Sequence, residues 1–100
     1  MKPHEILQAA AQTNLDKQKE YGDNYLKFGS VFAALFPDGL VSKTFDDHNR
    51  LHLLIQIIVK ITRYAENFNR GGHQDSLRDL AVYSAMLEAY DAERSVGDRR

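Results

Sequence analysis

The chain has 100 residues, enough for one domain around one modest hydrophobic core. Its formal net charge of −1 argues against a dedicated nucleic-acid-binding protein, and the absence of cysteine excludes disulfides and thiolate metal sites. No apolar run approaches the ~18 residues that a membrane helix needs, and the N-terminus lacks the pattern of a signal peptide, so a cytoplasmic protein is predicted.

Two helices are predicted before Pro37. The first covers roughly residues 3–20, with Pro3 in the first turn, where its missing N–H costs little. Apolar side chains four residues apart give this helix a narrow stripe, formed by Leu7, Ala11 and Leu15 with Ile6 and Ala10 beside it. The second covers roughly residues 24–36, has an aromatic face, and ends at the turn sequence F-P-D-G.

Two longer helices are predicted in the second half of the chain. The third covers roughly residues 45–68, with Thr44 and Asp47 spaced as a capping box and an almost continuous apolar surface from Leu51 to Ile61. The fourth covers roughly residues 75–93 and has two apolar faces. One consists of Leu77, Leu80, Ala81, Ser84 and Leu87, and the other of Val82, Ala85, Met86 and Ala89. Residues 94–100 are predicted to be a frayed tail.

The pattern as a whole predicts a single all-α domain over residues 1–100, a four-helix bundle around a long apolar central helix. That helix has more apolar surface than three short neighbours readily cover. Because an exposed apolar patch of this size usually marks an interface, we expect a homo-oligomer, most simply a dimer with paired third helices.

A row of polar side chains follows one face of the third helix. Its members step by three or four residues and are His52, Gln56, Lys60, Arg63 and Asn67. Lys60 and Arg63 lie about one turn apart, a spacing suited to gripping a phosphate or a pair of carboxylates. The alternative is a solvated strip whose cations pair with surface acids for about 0–1 kcal/mol each.

Acidic side chains form a row on the fourth helix. Asp75, Asp79 and Tyr83 are spaced by four, and two carboxylates on one face can hold Mg²⁺. Asp75 is also explained as a helix-start residue that interacts with free N–H groups. Asp79 lies one turn further in, where aspartate has poor helix propensity. A salt bridge to Lys60 or Arg63 would explain it.

A second group of polar residues lies at the end of the first helix. Glu20, Tyr21, Gly22 and Asp23 combine two acids, an aromatic ring and a glycine that allows a left-handed turn or a close approach. Glu20 and Asp23 are secondary site candidates. Helix termination explains the glycine as well, so both interpretations stay open.

The order of these motifs resembles the small phage and prophage family of MazG-like, nucleotide-modification-associated proteins. The shared features are Y-G before an aromatic helix, K-x-x-R on the long helix, and D-S-L-R-D-L-A-x-Y at the start of the last. The similarity covers roughly residues 17–90. It implies an all-α fold related to MazG and dUTPase-type pyrophosphohydrolases, which form dimers or tetramers and cleave nucleoside triphosphates with Mg²⁺. The matching positions are Tyr21, Gly22, Lys60, Arg63, Asp75, Asp79 and Tyr83.

The chain also departs from the catalytic members of that family. Those carry an E-x-x-E metal motif on the central helix, where this chain has Lys60 and Arg63 and, in the same half, only Glu66 as an acid. Three hypotheses follow. In the first, the chain binds a phosphorylated nucleotide, either with or without hydrolysis of (d)NTPs with Mg²⁺. In the second, it is a non-catalytic phage accessory that sequesters a nucleotide signal or binds a host protein. In the third, the two charged rows are a structural salt-bridge network.

Overall fold

The computed structural model describes residues 1–22 and 24–94, and this part of the chain is helical, without a strand. The predicted all-α class is confirmed. The helices are α1 (Pro3–Tyr21), α2 (Phe28–Leu35), α3 (Phe45–Glu66) and α4 (Gln74–Arg94), with 3₁₀ turns at Asn24–Leu26 and Phe68–Arg70. Arg94 ends α4 and is not frayed, and the rest of the predicted tail lies outside the described residues. None of the described helices combines the length and apolarity that crossing a lipid bilayer requires.

Two of the predicted helices are shorter than expected. The second splits into a 3₁₀ turn and α2, and the third ends at Glu66. The buried side chain of Asn67 explains why the third helix ends at Glu66, because its amide donates to the Arg63 carbonyl at 2.9 Å. The Asn67 backbone carbonyl also accepts from Gly72 N–H at 2.9 Å, and Gly72 has a φ of 93°. The chain therefore reverses before α4.

The predicted capping box at the start of α3 is confirmed. The Asp47 N–H donates to Thr44 Oγ1 at 3.1 Å, and Asp47 Oδ2 accepts from the backbone N–H groups of Lys43 and Thr44 at 3.1 and 3.2 Å. These backbone hydrogen bonds lower the pKa of Asp47 below its usual 3.8, and the bond from Lys43 has the largest effect. Ionised Asp47 therefore stabilises the helix start.

Asp47→Asn is expected to lower the melting temperature at neutral pH and to have less effect in acid. Because the folded pKa is depressed, the contribution of Asp47 is complete above its unfolded pKa and is lost as the pH falls through the folded value. In thermal melts of both chains from pH 7 down to pH 2.5, the difference in melting temperature should therefore begin to shrink below about pH 4 and should decrease further as the pH falls. A difference in melting temperature that stays constant over this range would contradict the role of the carboxylate.

The interior of the molecule lies along α3. This helix packs lengthwise on α4, while α2 and the preceding 3₁₀ turn contact another side of it. Near the start of α3, Arg50 Nε donates to Asp91 Oδ1 of α4 at 2.8 Å, and Asn49 Nδ2 donates to the Tyr90 hydroxyl at 3.1 Å. Among the described residues, Ile58 is the only apolar side chain that is fully buried. The central helix is thus only partly covered by its own chain.

A large apolar surface remains exposed outside this interior. All of residues 3–20 are exposed along α1. The radius of gyration is 17.0 Å, against about 13 Å for a compact domain of this length. The accessible surface is 7633 Å², against about 5,800 Å² for a compact protein of this mass. The described helices are therefore arranged less compactly than in a domain with a closed hydrophobic core.

Candidate functional site

A cleft of about 480 Å³ lies between α1 and α3, beside the turn that follows α1. Lys17 on α1 and Arg63 on α3 line it from opposite sides. Asn14 and Gln18 add amide groups, and Phe28 and Val59 add apolar surface. A cleft of this size suits a small organic ligand, and two cations from different helices favour an anionic one.

Gly22 forms the turn at the edge of this cleft, and its backbone conformation disfavours any side chain. Its φ of 60° and ψ of −136° are not accessible to other residues without strain. A Cβ atom built on it would also overlap the carboxylate of Glu66. That carboxylate accepts a hydrogen bond from the Lys27 ammonium, which lowers the pKa of Glu66. Gly22 thus allows the turn to lie directly on the end of α3.

The last turn of α1 is fixed to the segment between α3 and α4. Arg70 Nη1 donates to the carbonyl oxygens of Lys19 and Glu20, both at 3.3 Å. His73 Nε2 lies 2.8 Å from Glu20 Oε1, and His73 Nδ1 lies 2.6 Å from Ser76 Oγ. Ser76 is only 2% exposed, so this hydroxyl is shielded from solvent. These contacts hold the α1 wall of the cleft in place.

Lys60 belongs to a different cluster, on the α4 side of α3. Its ammonium lies 3.4 Å from Asp79 Oδ2 and 5.9 Å from the centre of the Tyr83 ring. The Lys60 side chain is 10% exposed and that of Asp79 is 51% exposed. The predicted salt bridge between the two rows is therefore confirmed for Lys60 and Asp79. It accounts for an aspartate that helix capping does not explain.

The structure thus separates the residues that the sequence grouped into one site. Arg63 and Gly22 line the cleft, whereas Lys60, Asp79 and Tyr83 meet between α3 and α4. Of the remaining candidates, Asp75 is exposed in the first turn of α4, Glu20 contacts His73, and the Tyr21 side chain and Asp23 lie outside the described residues.

The predicted Mg²⁺ ligands, Asp75 and Asp79, do not form a convincing metal site by themselves. A metal ion at Asp79 would have to compete with the ammonium of Lys60 for the same carboxylate. Within residues 1–22 and 24–94, no three His, Asp or Glu side chains come together in an arrangement suited to a metal ion. Binding of Mg²⁺ by these aspartates stays a prediction, and no chemical step is derived through it.

Sequence reasoning did not identify the α1 side of the cleft. Asn14, Lys17 and Gln18 carry no motif of their own. The sequence feature that could have identified Asn14 and Gln18 is their spacing along the helix. They follow Leu7 and Ala11 at intervals of three and four residues and so lie on the same face of α1. A stripe that changes from apolar to polar within one helix indicates that its two halves face different surroundings.

Comparison of this chain with protein-family models, curated proteins and solved structures gives no match. The class that the structure defines is an all-α domain with a cationic cleft between its first and third helices. Its relation to the MazG-like family stays a prediction that depends on the motifs.

Proposed function

We propose that this chain is a MazG-like protein of phage type that binds a phosphorylated nucleotide in the cleft between α1 and α3. The observation that carries the proposal is the position of Lys17 and Arg63 on opposite walls of a cleft of about 480 Å³. The motif similarity supports a nucleotide over other anions. It does so independently of the cleft, because only Gly22 and Arg63 belong to both.

The side chains that line the cleft suit both the phosphates and the base of a nucleotide. The Arg63 guanidinium can donate two parallel hydrogen bonds to phosphate oxygens, and the Lys17 ammonium adds a point charge. Tyr25 and Phe28 provide aromatic surface on which a base can stack. Lys60 supports this site indirectly, by fixing α3 against α4 through Asp79. Hydrolysis with Mg²⁺ is the enzymatic form of the proposal.

Arg63→Gln is expected to weaken nucleotide binding about 10- to 150-fold, because it removes a charge-assisted contact of about 1.5–3 kcal/mol. Titration calorimetry with a panel of NTPs and dNTPs, with and without Mg²⁺, measures the dissociation constants. Arg78→Gln is the matched control, since Arg78 is exposed on α4 and does not line the cleft. It should bind as the wild type does.

Two outcomes would contradict parts of this proposal. Equal affinities for wild type and Arg63→Gln would remove Arg63 from the site. No binding of any nucleotide by the wild type would remove the ligand class and favour an accessory protein that binds a host protein. Pyrophosphate release from the same panel separates hydrolysis from binding alone, because a binding protein without turnover gives a flat trace.

We also propose that the chain acts as a homo-oligomer, with α3 contributing to the contact. Large apolar side chains are more than 45% exposed on every described helix, including Leu7, Leu35, Ile61 and Met86. The accessible surface exceeds that of a compact protein of 11.4 kDa by about 1,900 Å². Removing such an area from each of two copies gives the size of a typical obligate dimer interface.

A further inference from the structure

One face of α1 has two different chemical characters along its length. Asn14 and Gln18, in the C-terminal half, line the cleft of their own chain. Leu7 and Ala11 occupy the same face in the N-terminal half and are exposed, Leu7 at 69%. The polar half of this face therefore lines a cleft within its own chain, whereas the apolar half is exposed to solvent.

The outward face of α4 is a second exposed apolar surface. It is formed by Val82, Ala85, Met86 and Ala89, all exposed. The half-buried residues of the same helix, such as Leu80, Tyr83 and Leu87, lie on another side of it. This surface is a regular helix face on which large and small side chains alternate, as the stripe of α1 also does.

We infer that the N-terminal half of α1 in one copy packs on the outward face of α4 in a second copy, and the reverse. Leu7 would lie over the small Ala85 and Ala89, and Met86 over the small Ala10 and Ala11, so that large side chains meet small ones. The exchange of two such contacts closes a two-fold dimer. It rests on the homo-oligomer proposal and adds a defined pair of surfaces, α1 and α4, to the contribution proposed for α3.

The exposed area favours a second copy over an unrelated partner. Two copies together have about 3,700 Å² more accessible surface than two compact proteins of this mass, and obligate homodimers bury roughly 2,000–5,000 Å². Both surfaces of the contact also belong to this chain, so the dimer covers two exposed patches for each copy.

Charge placed on the α1 stripe tests this contact. Leu7→Lys/Ala11→Lys is expected to change the wild-type dimer, with about twice the mass of 11.4 kDa, into a monomer, as measured by light scattering on a sizing column. Ala9→Lys/Gln12→Lys is the matched control, because it adds the same charge on the opposite face of the same exposed helix. It should remain dimeric. Circular dichroism checks that both variants stay folded, with any loss of helix in the monomeric variant confined to the amount that the first turns of α1 contribute.

The absence of cysteine from the chain allows a direct test of the pairing. A Leu7→Cys chain and a Met86→Cys chain, tagged to differ in mass, are mixed, allowed to exchange subunits and oxidised. The expected product is a disulfide-linked dimer with one chain of each kind, formed at least ten times faster than from Ala9→Cys mixed with Met86→Cys. Oxidation of each variant alone measures the background of links between identical positions of two chains, since a chain with one cysteine cannot form a disulfide within itself.

The outcomes separate the two proposals. A monomeric wild type overturns both the homo-oligomer and the α1 contact. A dimeric wild type that tolerates Leu7→Lys/Ala11→Lys overturns the α1 contact and leaves the homo-oligomer intact. Equal cross-linking from Leu7→Cys and Ala9→Cys overturns the pairing of α1 with α4. None of these experiments measures nucleotide affinity, so their outcomes do not bear on the proposed nucleotide binding.

Discussion

Replacing Gly22 with alanine is expected to lower the free energy of unfolding by about 3 kcal/mol. Two costs add at this position. The backbone has a φ of 60° and a ψ of −136°, which alanine adopts only with strain, and the new methyl group would overlap the Glu66 carboxylate. The backbone strain is the larger cost, since the overlapping atom is the end of a side chain and the Glu66 carboxylate can move aside. Urea unfolding followed by circular dichroism measures the change.

Gly29→Ala is the matched control for this substitution. Gly29 lies in α2, its φ is not positive, and a Cβ atom there would meet nothing within 4 Å. The same chemical change should therefore raise the free energy of unfolding by about 0.5–1 kcal/mol, through the lower entropy of the unfolded chain. Similar effects at the two glycines would contradict the close approach of the turn to Glu66.

Asp79→Asn is expected to lower the free energy of unfolding by about 2 kcal/mol, since it leaves the Lys60 ammonium without its carboxylate in a nearly buried position. This figure is below the ~3–5 kcal/mol of a fully buried pair, because water screens the half-exposed Asp79. Chemical unfolding at pH 7 in low salt gives the difference. Asp75→Asn, one turn earlier and exposed, should cost less.

The double variant Lys60→Met/Asp79→Asn separates a structural from a ligand-binding role of Lys60. Methionine fills the volume of lysine without a charge that needs a partner, so most of the lost stability should return. Nucleotide affinity should stay within about threefold of the wild type if Lys60 only fixes α3 against α4. A stable double variant that no longer binds nucleotide would instead place Lys60 at the phosphates.

The parts of this fold that could be predicted are those governed by local sequence. Apolar spacing and turn residues gave all four helices within a few residues of their observed ends. The capping box of Thr44 and Asp47 followed from two residue types three positions apart. The salt bridge of Asp79 followed from an aspartate that its own helix did not explain and from a basic row on the preceding helix.

The arrangement of the site could not be predicted, because it depends on how helices pack. Lys60 and Arg63 are three residues apart and differ by about 60° around the helix axis, which looks like one face in the sequence. Since α3 has neighbours on several sides, that angle is enough to direct Lys60 towards α4 and Arg63 towards α1. The contact of His73 with Glu20 joins residues 53 positions apart, and no local pattern reports such pairs.

The dimer proposed above would give α1 a stability that depends on protein concentration. Arg70 and His73 hold one end within the same chain, while in that dimer the apolar half at the other end would gain its partners from the second copy. Dilution would therefore loosen the first turns of α1 before any other helix opens. Amide hydrogen exchange in residues 5–13 would then report assembly directly, and the wall that α1 gives to the cleft would be firmest where the protein is most abundant.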